Sequence, residues 1–483
     1  MEKKRVALES LGCKLNYAET IQIEKEFKRR GFEIVPPSSS ADVFVINTCM
    51  VTQSADSDCR QIVRRALRNS PNAFLVVTGC YAQGKPDDFA QIEGVDLVLG
   101  AKEKFELFDH LDDFTKNYHA RIFVGPIEDA VEFGAADSAI SVSRLRSETQ
   151  PSSESVSESR HLGVQARTRA FLKVQDGCNY RCSYCTIPKV RGVSRSPSVA
   201  FLVDEAKGIA AHGFKEIVLS GVNVGDFHDE GSHSLIDLLS GLDKVDGIER
   251  IRISSIEPNL LTDEIIKFVA ASSKMCKHFH IPLQSGSDYV LKRMRRRYNA
   301  SLYRGMLERI KEILPDAGIG ADVIVGFPGE TGSDFEQSYN FVESLPLTYL
   351  HVFTYSEREG TDAAAFNERI DPRVRKKRSE LLRMLSIRKR YEFNRQHIGK
   401  IMKVLVEESH RSEVGNRIPD SWVSQRDPSD RSSFSERIFG FTSNYIRVEM
   451  RTERGNQIPE AGIISDVLIT GVSDNTVIGQ VIL

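Results

Sequence analysis

Three cysteines at close spacing carry the strongest chemical signal in the sequence. Cys178, Cys182 and Cys185 form a C-x3-C-x2-C run directly after a short apolar segment. Three thiolates in such a run can hold three corners of a [4Fe-4S] cube, and no further cysteine follows nearby to hold the fourth iron. A structural zinc site would use four protein ligands, usually in paired knuckles, and this run has no partner pair. The spacing favours an iron–sulfur cluster with one open iron over zinc or inert core cysteines.

Three more cysteines, Cys13, Cys49 and Cys80, each follow an apolar run that is typical of a β-strand. Their separations of 36 and 31 residues are close to one βαβ repeat of about 30 residues, so successive parallel strands would bring all three thiols to one sheet edge. This placement favours a second three-cysteine cluster. The alternative is that small thiols simply pack at strand ends, since free cysteine is often buried. Cys59 and Cys276 have no companion at ligand spacing and are interpreted as ordinary residues.

The elements that must position the second group of cysteines lie in residues 1–125, where short β-rich runs alternate with helical patterns. The alternation predicts an α/β domain built on a small parallel, doubly wound sheet. The predicted strands are 6–8, 43–46, 74–77 and 96–99, and the predicted helices are 19–30 and 55–69.

Residues 126–166 are predicted to form a serine-rich linker. Nine serines lie between Ser138 and Ser159, together with Pro151, and the segment has no apolar periodicity. Such composition is typical of flexible linkers. The alternative is a regulatory segment that carries phosphorylation sites.

Residues 167–395 contain a second series of β/α units, which predicts an open, partial (β/α)6 barrel. In such folds the active-site loops lie at the carboxyl ends of the strands. The first cysteine run follows the first of these strands. The predicted strands are 170–174, 216–220, 250–254, 278–283, 320–325 and 349–354.

Residues 396–483 are predicted to form a small β-barrel, because short alternating strands are separated by turn residues. A basic helical segment, 373–400, with eleven Lys or Arg against two Glu, precedes most of it. The predicted strands are 402–406, 445–450, 463–469 and 476–482.

The composition sets outer limits on function. With 483 residues and a net charge of -2, the chain is long enough for about three domains and has no global field that would draw it to nucleic acid. Any RNA contact must therefore come from local patches, and we expect no DNA partner. No apolar run is long enough for a membrane span or a signal peptide. Eight cysteines are too few for a secreted disulfide scaffold, so we expect a cytoplasmic protein.

Six motifs in this order resemble the methylthiotransferases of the radical S-adenosylmethionine (SAM) superfamily. The resemblance covers nearly the whole chain and implies three parts: an N-terminal cluster domain, a radical-SAM partial barrel and a C-terminal TRAM domain. The motifs are LGCKLN at 11–16, INTCMV at 46–51, TGCYAQ at 78–83, GCNYRCSYCTIP at 177–188, IPLQSGS at 281–287 and VGFPGET at 325–331.

The resemblance implies two [4Fe-4S] clusters with different roles. The cluster on Cys178, Cys182 and Cys185 would bind SAM at its open iron and cleave it to a 5'-deoxyadenosyl radical. The auxiliary cluster on the other three cysteines would present the sulfur of a methylthio group, so that two SAM molecules are consumed per turnover. A one-electron donor protein is implied as a partner. This radical chemistry belongs to the cofactors, and the protein supplies binding, orientation and exclusion of water.

A SAM pocket is predicted from the loops that follow successive barrel strands. Glycine admits close backbone approach, and amide, hydroxyl and carboxylate groups can hydrogen-bond the polar groups of the cofactor. The alternative at each position is a helix cap or a turn residue. The predicted residues are Gly221, Asn223, Ser254, Glu257 and Gln284.

Local features favour an RNA substrate. Arg295, Arg296 and Arg297 form a basic cluster, and phosphate contacts by such patches supply affinity without sequence specificity. The segment that contains Phe441, Asn444 and Tyr445 resembles the RNA-facing part of TRAM domains, although aromatics in so small a barrel also fill its core. The basic helical segment is equally explained as a solvated helix face.

Taken together, the amino-acid sequences of the motifs most resemble the threonylcarbamoyladenosine branch of the family. This resemblance therefore implies formation of 2-methylthio-N6-threonylcarbamoyladenosine beside the tRNA anticodon. The alternatives are methylthiolation of a ribosomal-protein aspartate or of isopentenyladenosine in tRNA and, from a different class, a non-catalytic iron–sulfur RNA-binding or sulfur-scaffold protein. The polar insertion at 411–435, with the single tryptophan Trp422, departs from a compact TRAM domain.

Overall fold

The structure is a computed structural model. It describes residues 3–50, 53–110, 113–116, 119–130, 133, 168–407, 438–451, 459–473 and 476–482, without the side chains of 53–55 and 451. None of the helices in these ranges combines the length and the apolar character that crossing a bilayer requires. Most of the predicted serine-rich linker, and all of the insertion around Trp422, lie outside the described residues. The domain boundaries stay predictions.

The N-terminal part is an all-parallel sheet with helices on both faces, as the sequence predicts, but it has six strands, of which β2 and β6 were not predicted. Strand order is β2-β1-β3-β4-β5-β6, and the strands that precede the three cysteines, β1, β3 and β4, are direct neighbours. The strands are β1 (Arg5–Ser10), β2 (Glu33–Val35), β3 (Val43–Thr48), β4 (Phe74–Gly79), β5 (Leu97–Leu99) and β6 (Arg121–Phe123). The helices are α1 (Lys14–Arg29), α2 (Gln53–Asn69), α3 (Cys80–Gly84) and α4 (Asp87–Ala90).

Helix α1 begins at Lys14, five residues before the predicted start at residue 19. The sequence pattern hides this first turn because polar residues occupy buried positions of the helix. Asn16 and Glu19 are both 0% exposed, so the apolar periodicity that marks a helix is broken there. Cys13 lies at the N-cap of this helix.

The central part is the predicted partial barrel. Six parallel strands form two three-stranded sheets. Isolated β-bridges from Ile251 to Met275 and from Ser255 to His280 join the two sheets into one arc. No pairing closes β7 onto β12 among the described residues. The strands are β7 (Arg169–Lys173), β8 (Glu216–Ser220), β9 (Arg250–Ile253), β10 (His278–His280), β11 (Gly318–Val325) and β12 (Tyr349–Thr354).

Helices cover the outer face of this arc and bury its main apolar core. A long basic helix, α12 (Pro372–Arg395), follows the last strand and ends five residues before the predicted bound at residue 400. The other helices are α5 (Ile187–Arg191), α6 (Val199–Ala211), α7 (Leu235–Asp243), α8 (Asp263–Ala271), α9 (Asp288–Arg293), α10 (Ala300–Ile313) and α11 (Gly332–Ser344).

The C-terminal part is a closed five-stranded barrel in the order β13-β14-β15-β17-β16, consistent with a TRAM-like domain. Strand β14 was not predicted, because residues 439–445 resemble an RNA-facing segment. Alternating residues of this strand are buried, and Ile438 belongs to the core of the small barrel. The strands are β13 (Ile401–Val406), β14 (Ile438–Thr442), β15 (Arg447–Arg451), β16 (Ile464–Ser473) and β17 (Thr476–Val481).

Replacing Gly79 with Ala tests the tight end of strand β4. Its φ is +98°, and an added Cβ would collide with the carbonyl oxygen of Thr48. We expect the substitution to lower the free energy of unfolding by about 2–5 kcal/mol, from backbone strain plus overpacking. The matched control is Gly213→Ala, which has a φ of +83° but open space around the new methyl group, and which should cost about 1–2 kcal/mol. Equal losses in chemical unfolding of the two variants would contradict the close approach at Gly79.

Candidate functional site

The three N-terminal cysteines meet at the carboxyl edge of neighbouring parallel strands. Cys49 and Cys80 are each 4% exposed, whereas Cys13 is exposed. The thiols of Cys13 and Cys80 each lie 3.9 Å from the amide oxygen of Asn16. This one side chain therefore lies between two of the three predicted ligands.

Asn16 fixes the loops that carry these cysteines. Its amide nitrogen donates to the carbonyl oxygens of Leu11 at 3.0 Å and Thr48 at 2.9 Å. These two residues precede Cys13 and Cys49 closely in the chain. One buried amide thus ties the end of β1 to the end of β3 and turns its oxygen towards the thiols.

Arg191 reaches this group from the barrel. Its Nε donates to Cys80 Sγ at 3.2 Å, and its Nη2 donates to Asn16 Oδ1 at 2.6 Å. The residue lies at the end of α5, six residues after Cys185 of the other cysteine group. A guanidinium is a rigid fork of donors that is never deprotonated in proteins, so Arg191 gives Cys80 a permanent positive neighbour.

A buried network of charges holds Arg191 in place. Its Nη1 lies 2.9 Å from both Glu19 Oε1 and Asp176 Oδ1. Glu19 also pairs with Lys104 at 2.6 Å and Lys173 at 3.1 Å. Burial alone would raise the pKa of Glu19, but Arg191, Lys104 and Lys173 together lower that pKa far below its usual value. Glu19 belongs to the N-terminal sheet domain and Asp176 to the barrel, so the network locks the two parts together.

The other group, Cys178, Cys182 and Cys185, occupies the loop after β7, at the carboxyl end of the barrel. Each sulfur has a hydrogen-bond donor. The backbone amides of Tyr180 and Ile187 donate to Cys178 and Cys185, both at 3.4 Å, and Arg296 Nη1 donates to Cys182 at 3.1 Å. Donors around a sulfur stabilise the thiolate form that ligates iron.

Burial keeps these thiols protonated in the absence of metal. It raises the pKa of Cys178 to about 11 and the pKa of Cys185 to about 12. Metal ligation requires the thiolate, so binding here would release protons. Three buried thiols with donors already aimed at their sulfurs fit a three-cysteine cluster.

Two of the predicted SAM residues, Asn223 and Glu257, lie near this loop. Asn223 is 3% exposed, yet neither its amide nitrogen nor its amide oxygen has a hydrogen-bond partner within the described residues. Such orphaned groups are costly unless a ligand satisfies them. Its backbone N–H, in contrast, donates to Gln175 Oε1 at 2.9 Å. The side chain of Asn223 therefore fits a polar cofactor.

The other four predicted SAM residues differ in their surroundings. Gly221 follows β8 and packs against Gln175, and Ser254 directly follows β9. Gln284 is 9% exposed with a φ of +66°. The carboxylate of Glu257 pairs with Arg296, so part of its hydrogen-bonding capacity is already used. These assignments stay predictions.

The three consecutive arginines predicted to bind RNA lie in different environments. Arg296 is not part of a surface patch, because its side chain is 3% exposed and contacts Cys182 and Glu257. Arg295 is half-exposed and pairs with Asp362. The exposed Arg297 stacks 4.0 Å over the ring of Tyr180.

The segment predicted to face RNA in the C-terminal barrel docks instead on the amino end of the central barrel. Asn444 is 4% exposed, and its amide nitrogen donates to the Asp316 carbonyl oxygen at 3.0 Å. Arg250 donates to the carbonyl oxygen of Phe441 at 2.9 Å. Tyr445 packs 4.7 Å from the ring of His278. The amide of Asn444 is thus used inside the protein, while Phe441 and Tyr445 line a cavity of about 330 Å³.

Sequence reasoning missed Asn16, Glu19, Asp176 and Arg191. Two of them lie in or beside the LGCKLN motif, where a polar residue inside an apolar helix pattern was a usable signal. It also missed a group of polar residues on barrel strands, His280, Asp322 and His351. Their signal was the alternation of polar and apolar residues along these strands.

Comparisons with known proteins agree with this geometry. Family models match residues 172–342, as the radical SAM superfamily, and residues 5–100, as uncharacterized protein family UPF0004. The chain is 37% identical to the threonylcarbamoyladenosine tRNA methylthiotransferase MtaB of Bacillus subtilis, over 92% of this chain and 89% of that protein. The chain belongs to the tRNA methylthiotransferases of the radical SAM superfamily.

Other members of the family are also similar over most of their length. The protein named MtaB in Aquifex aeolicus is 36% identical, with 86% of this chain and 95% of that protein covered. The tRNA-2-methylthio-N(6)-dimethylallyladenosine synthase of Clostridium botulinum is 30% identical, with 84% and 86% covered. Among solved structures, the radical SAM methyltransferase TsrM of Kitasatospora setae, with cobalamin and a [4Fe-4S] cluster bound, is 16% identical. Its TM-score of 0.53 over 75% of this chain and 77% of that one shows a shared fold.

Replacing Arg191 with Met tests the buried network of this methylthiotransferase. The change leaves Glu19 and Asp176 short of a counter-ion, so we expect the free energy of unfolding at pH 7 to fall by about 3–5 kcal/mol. A carboxylate whose pKa is lower in the folded than in the unfolded protein stabilises the fold at pH values above the unfolded-state pKa. That contribution is lost as the pH falls towards the folded-state pKa. The gap between wild type and variant should therefore narrow below about pH 4.

Chemical unfolding of the apo-protein at pH 7 and at about pH 3 measures this gap. The control is Arg29→Met, whose exposed side chain pairs with Glu26 at 2.7 Å and should leave stability nearly unchanged. Equal stability of wild type and Arg191→Met at pH 7, or a gap that widens on acidification, would contradict the network's role.

Proposed function

We propose that this chain inserts a methylthio group at carbon-2 of N6-threonylcarbamoyladenosine beside the tRNA anticodon, giving 2-methylthio-N6-threonylcarbamoyladenosine. The observation that carries the proposal is that Arg191 links the two cysteine groups. Arg191 follows one group in the chain and hydrogen-bonds the other through Cys80. Several relatives that carry this activity in their names support the choice of substrate, at 33–37% identity.

The cofactors in this proposal are two [4Fe-4S] clusters and SAM. When bound, they supply the electron, the carbon radical and the sulfur for substitution at an unactivated carbon, chemistry that side chains cannot perform. Cys178, Cys182 and Cys185 would hold one cluster and Cys13, Cys49 and Cys80 the other. This fits the two sets of three cysteines, the donor to each sulfur of the barrel group and the donor to Cys80.

The chain's own residues would bind and orient SAM at the barrel site. The orphaned amide of Asn223 would donate to and accept from the polar groups of SAM. Arg296 would stabilise the Cys182 thiolate by a charge-assisted hydrogen bond and hold Glu257 in one orientation. Glu257 would then accept from the amino or ribose hydroxyl groups of SAM with its remaining lone pairs.

At the auxiliary site, Arg191 and Asn16 would fix the ligand geometry. The guanidinium donates to Cys80, and its charge would favour the thiolate that iron requires. Cys13 is the exposed member of its group, so this side of the auxiliary site is open to a substrate.

The partners in this proposal are a tRNA and a one-electron donor protein. The half-exposed Arg295 and the exposed Arg297 supply local positive charge near the barrel site, and the aromatic rings of Phe441 and Tyr445 lie at a cavity edge. Phosphate contacts would give salt-dependent affinity for RNA. The chain carries a net charge of -2, so these patches would act locally.

Substitution of one cysteine in each group tests whether the two groups have different roles. Anaerobic incubation of Cys182→Ala with SAM and dithionite should give no 5'-deoxyadenosine, because the site that cleaves SAM loses a ligand. Cys80→Ala should still cleave SAM but yield no methylthiolated RNA. The control Cys276→Ala, at a buried cysteine far from both groups in sequence, should retain both products. Persistent cleavage in Cys182→Ala, or methylthiolated product from Cys80→Ala, would contradict the assignment.

Mass spectrometry of tRNA nucleosides from cells with and without this gene tests the substrate. We expect loss of 2-methylthio-N6-threonylcarbamoyladenosine and accumulation of its precursor without the methylthio group. Loss of the isopentenyl-type product instead would move the substrate to the other tRNA branch. Unchanged nucleosides would move the target to a protein side chain.

A further inference from the structure

The inner wall of the central barrel is polar on one side. Along β10–β12, the residues that face the helices are apolar and belong to the main core, among them Phe279, Val323 and Val352. Because successive side chains of a strand point to opposite faces, His280, Asp322 and His351 face the barrel interior. The other inner side, at β7 and β8, is covered by Tyr17 and Ala18 of α1.

Asp322 orients the two imidazoles. His280 Nε2 lies 3.0 Å from Asp322 Oδ1, and His351 Nδ1 lies 3.4 Å from the same oxygen. Burial would raise the pKa of Asp322, but its hydrogen bonds with the two histidines hold that pKa well below its usual value. Asp322 is therefore ionised at neutral pH. His351, with half of its side chain exposed, is left with Nε2 to reach a ligand.

His351 lines the cavity of about 330 Å³ at the junction between the two barrels. A cavity of this size lies within the range of small-ligand sites. Its wall also contains Arg390 from α12, which stacks 5.3 Å over the ring of Tyr349. Arg390 forms no ion pair within the ranges that the structure describes, so its positive charge has no fixed counter-ion there. Arg447, from the C-terminal barrel, also lines the cavity.

The charges near the cavity decide which ligand chemistry fits. The three groups Asp322, His280 and His351 have ligand atoms within 4.8 Å of one another, a spacing that would also suit a divalent cation. Arg250 and Arg252, however, share the single carboxylate of Glu216. The pKa of His278 is well below its usual value because of burial and the nearby charges of Arg252 and Lys14. Together with Arg390 and Arg447 in the cavity wall, these nearby positive charges disfavour a metal cation and attract an anion.

We propose that His351, oriented by Asp322, and Arg390 form a binding site for an anionic group of the RNA substrate. This inference rests on the proposed function. Two groups of such an RNA have the required chemistry, which is a negatively charged set of oxygen acceptors. One is the carboxylate of the N6-threonylcarbamoyl group, and the other is a backbone phosphate. Arginine binds both through charge-assisted hydrogen bonds, and His351 contributes its Nε2 as a further polar atom in the same cavity.

Equilibrium binding of two synthetic anticodon stem-loop RNAs distinguishes these sources. One RNA carries N6-threonylcarbamoyladenosine, and the other carries plain adenosine at the same position. Binding is measured with the full-length, cluster-loaded protein in the wild-type form and as Arg390→Gln and His351→Gln. The matched control is Arg395→Gln, which removes one charge from the exposed surface of the same helix, outside the cavity. Circular dichroism checks that each variant is folded.

We expect each cavity variant to raise the dissociation constant roughly 10- to 100-fold, the range for hydrogen bonds to charged groups. A rise confined to the threonylcarbamoyl RNA supports the site and identifies the carboxylate as its ligand. An equal rise for both RNAs supports the site and identifies a phosphate. Variants that bind like Arg395→Gln overturn the inference, as does a wild type that binds neither RNA.

Product formation by the wild type separates this inference from the proposed function. If the wild type methylthiolates the threonylcarbamoyl RNA while the cavity variants bind it normally, the anion site is wrong and the function stands. If the wild type forms no product on that RNA although its clusters and SAM cleavage are intact, the proposed function fails.

Discussion

The buried guanidinium of Arg191 is the constraint on which the arrangement of the two cysteine groups depends. It donates to Cys80 and Asn16 on one side and is held by Glu19 and Asp176 on the other. Removal of its partners from water is costly, and only near-complete pairing offsets that cost. The network therefore ties the docking of the two parts to Arg191, which follows Cys185 closely in the chain and hydrogen-bonds Cys80.

The partial barrel remains accessible because its neighbours fill only part of it. Helix α1 covers the inner side of β7 and β8, and the turn around Asn444 closes the amino end through its hydrogen bond to Asp316. On the inner side of β10–β12, Tyr445 packs against His278, and His351 lines the cavity between the two barrels.

The sequence predicts regular elements well where local pattern decides them. Strands β8 and β12 have the predicted bounds, because each is a compact run of β-formers between turn signals. The early start of α1 was not predictable from periodicity, since Asn16 and Glu19 are buried for tertiary reasons. Arg296 was assigned to the surface by charge alone, and only the fold reveals that it points at Cys182. Contacts between residues far apart in sequence, such as Arg191 with Cys80, need the assembled chain.

The central claim is that two separate groups of three cysteines hold two clusters in one chain. Iron analysis with Mössbauer spectroscopy of the anaerobically reconstituted protein tests it most directly. We predict about eight irons per chain in two [4Fe-4S] environments, because each group of three cysteines would hold one four-iron cluster with one iron that has no cysteine ligand. About four irons per chain in a single environment would contradict the account.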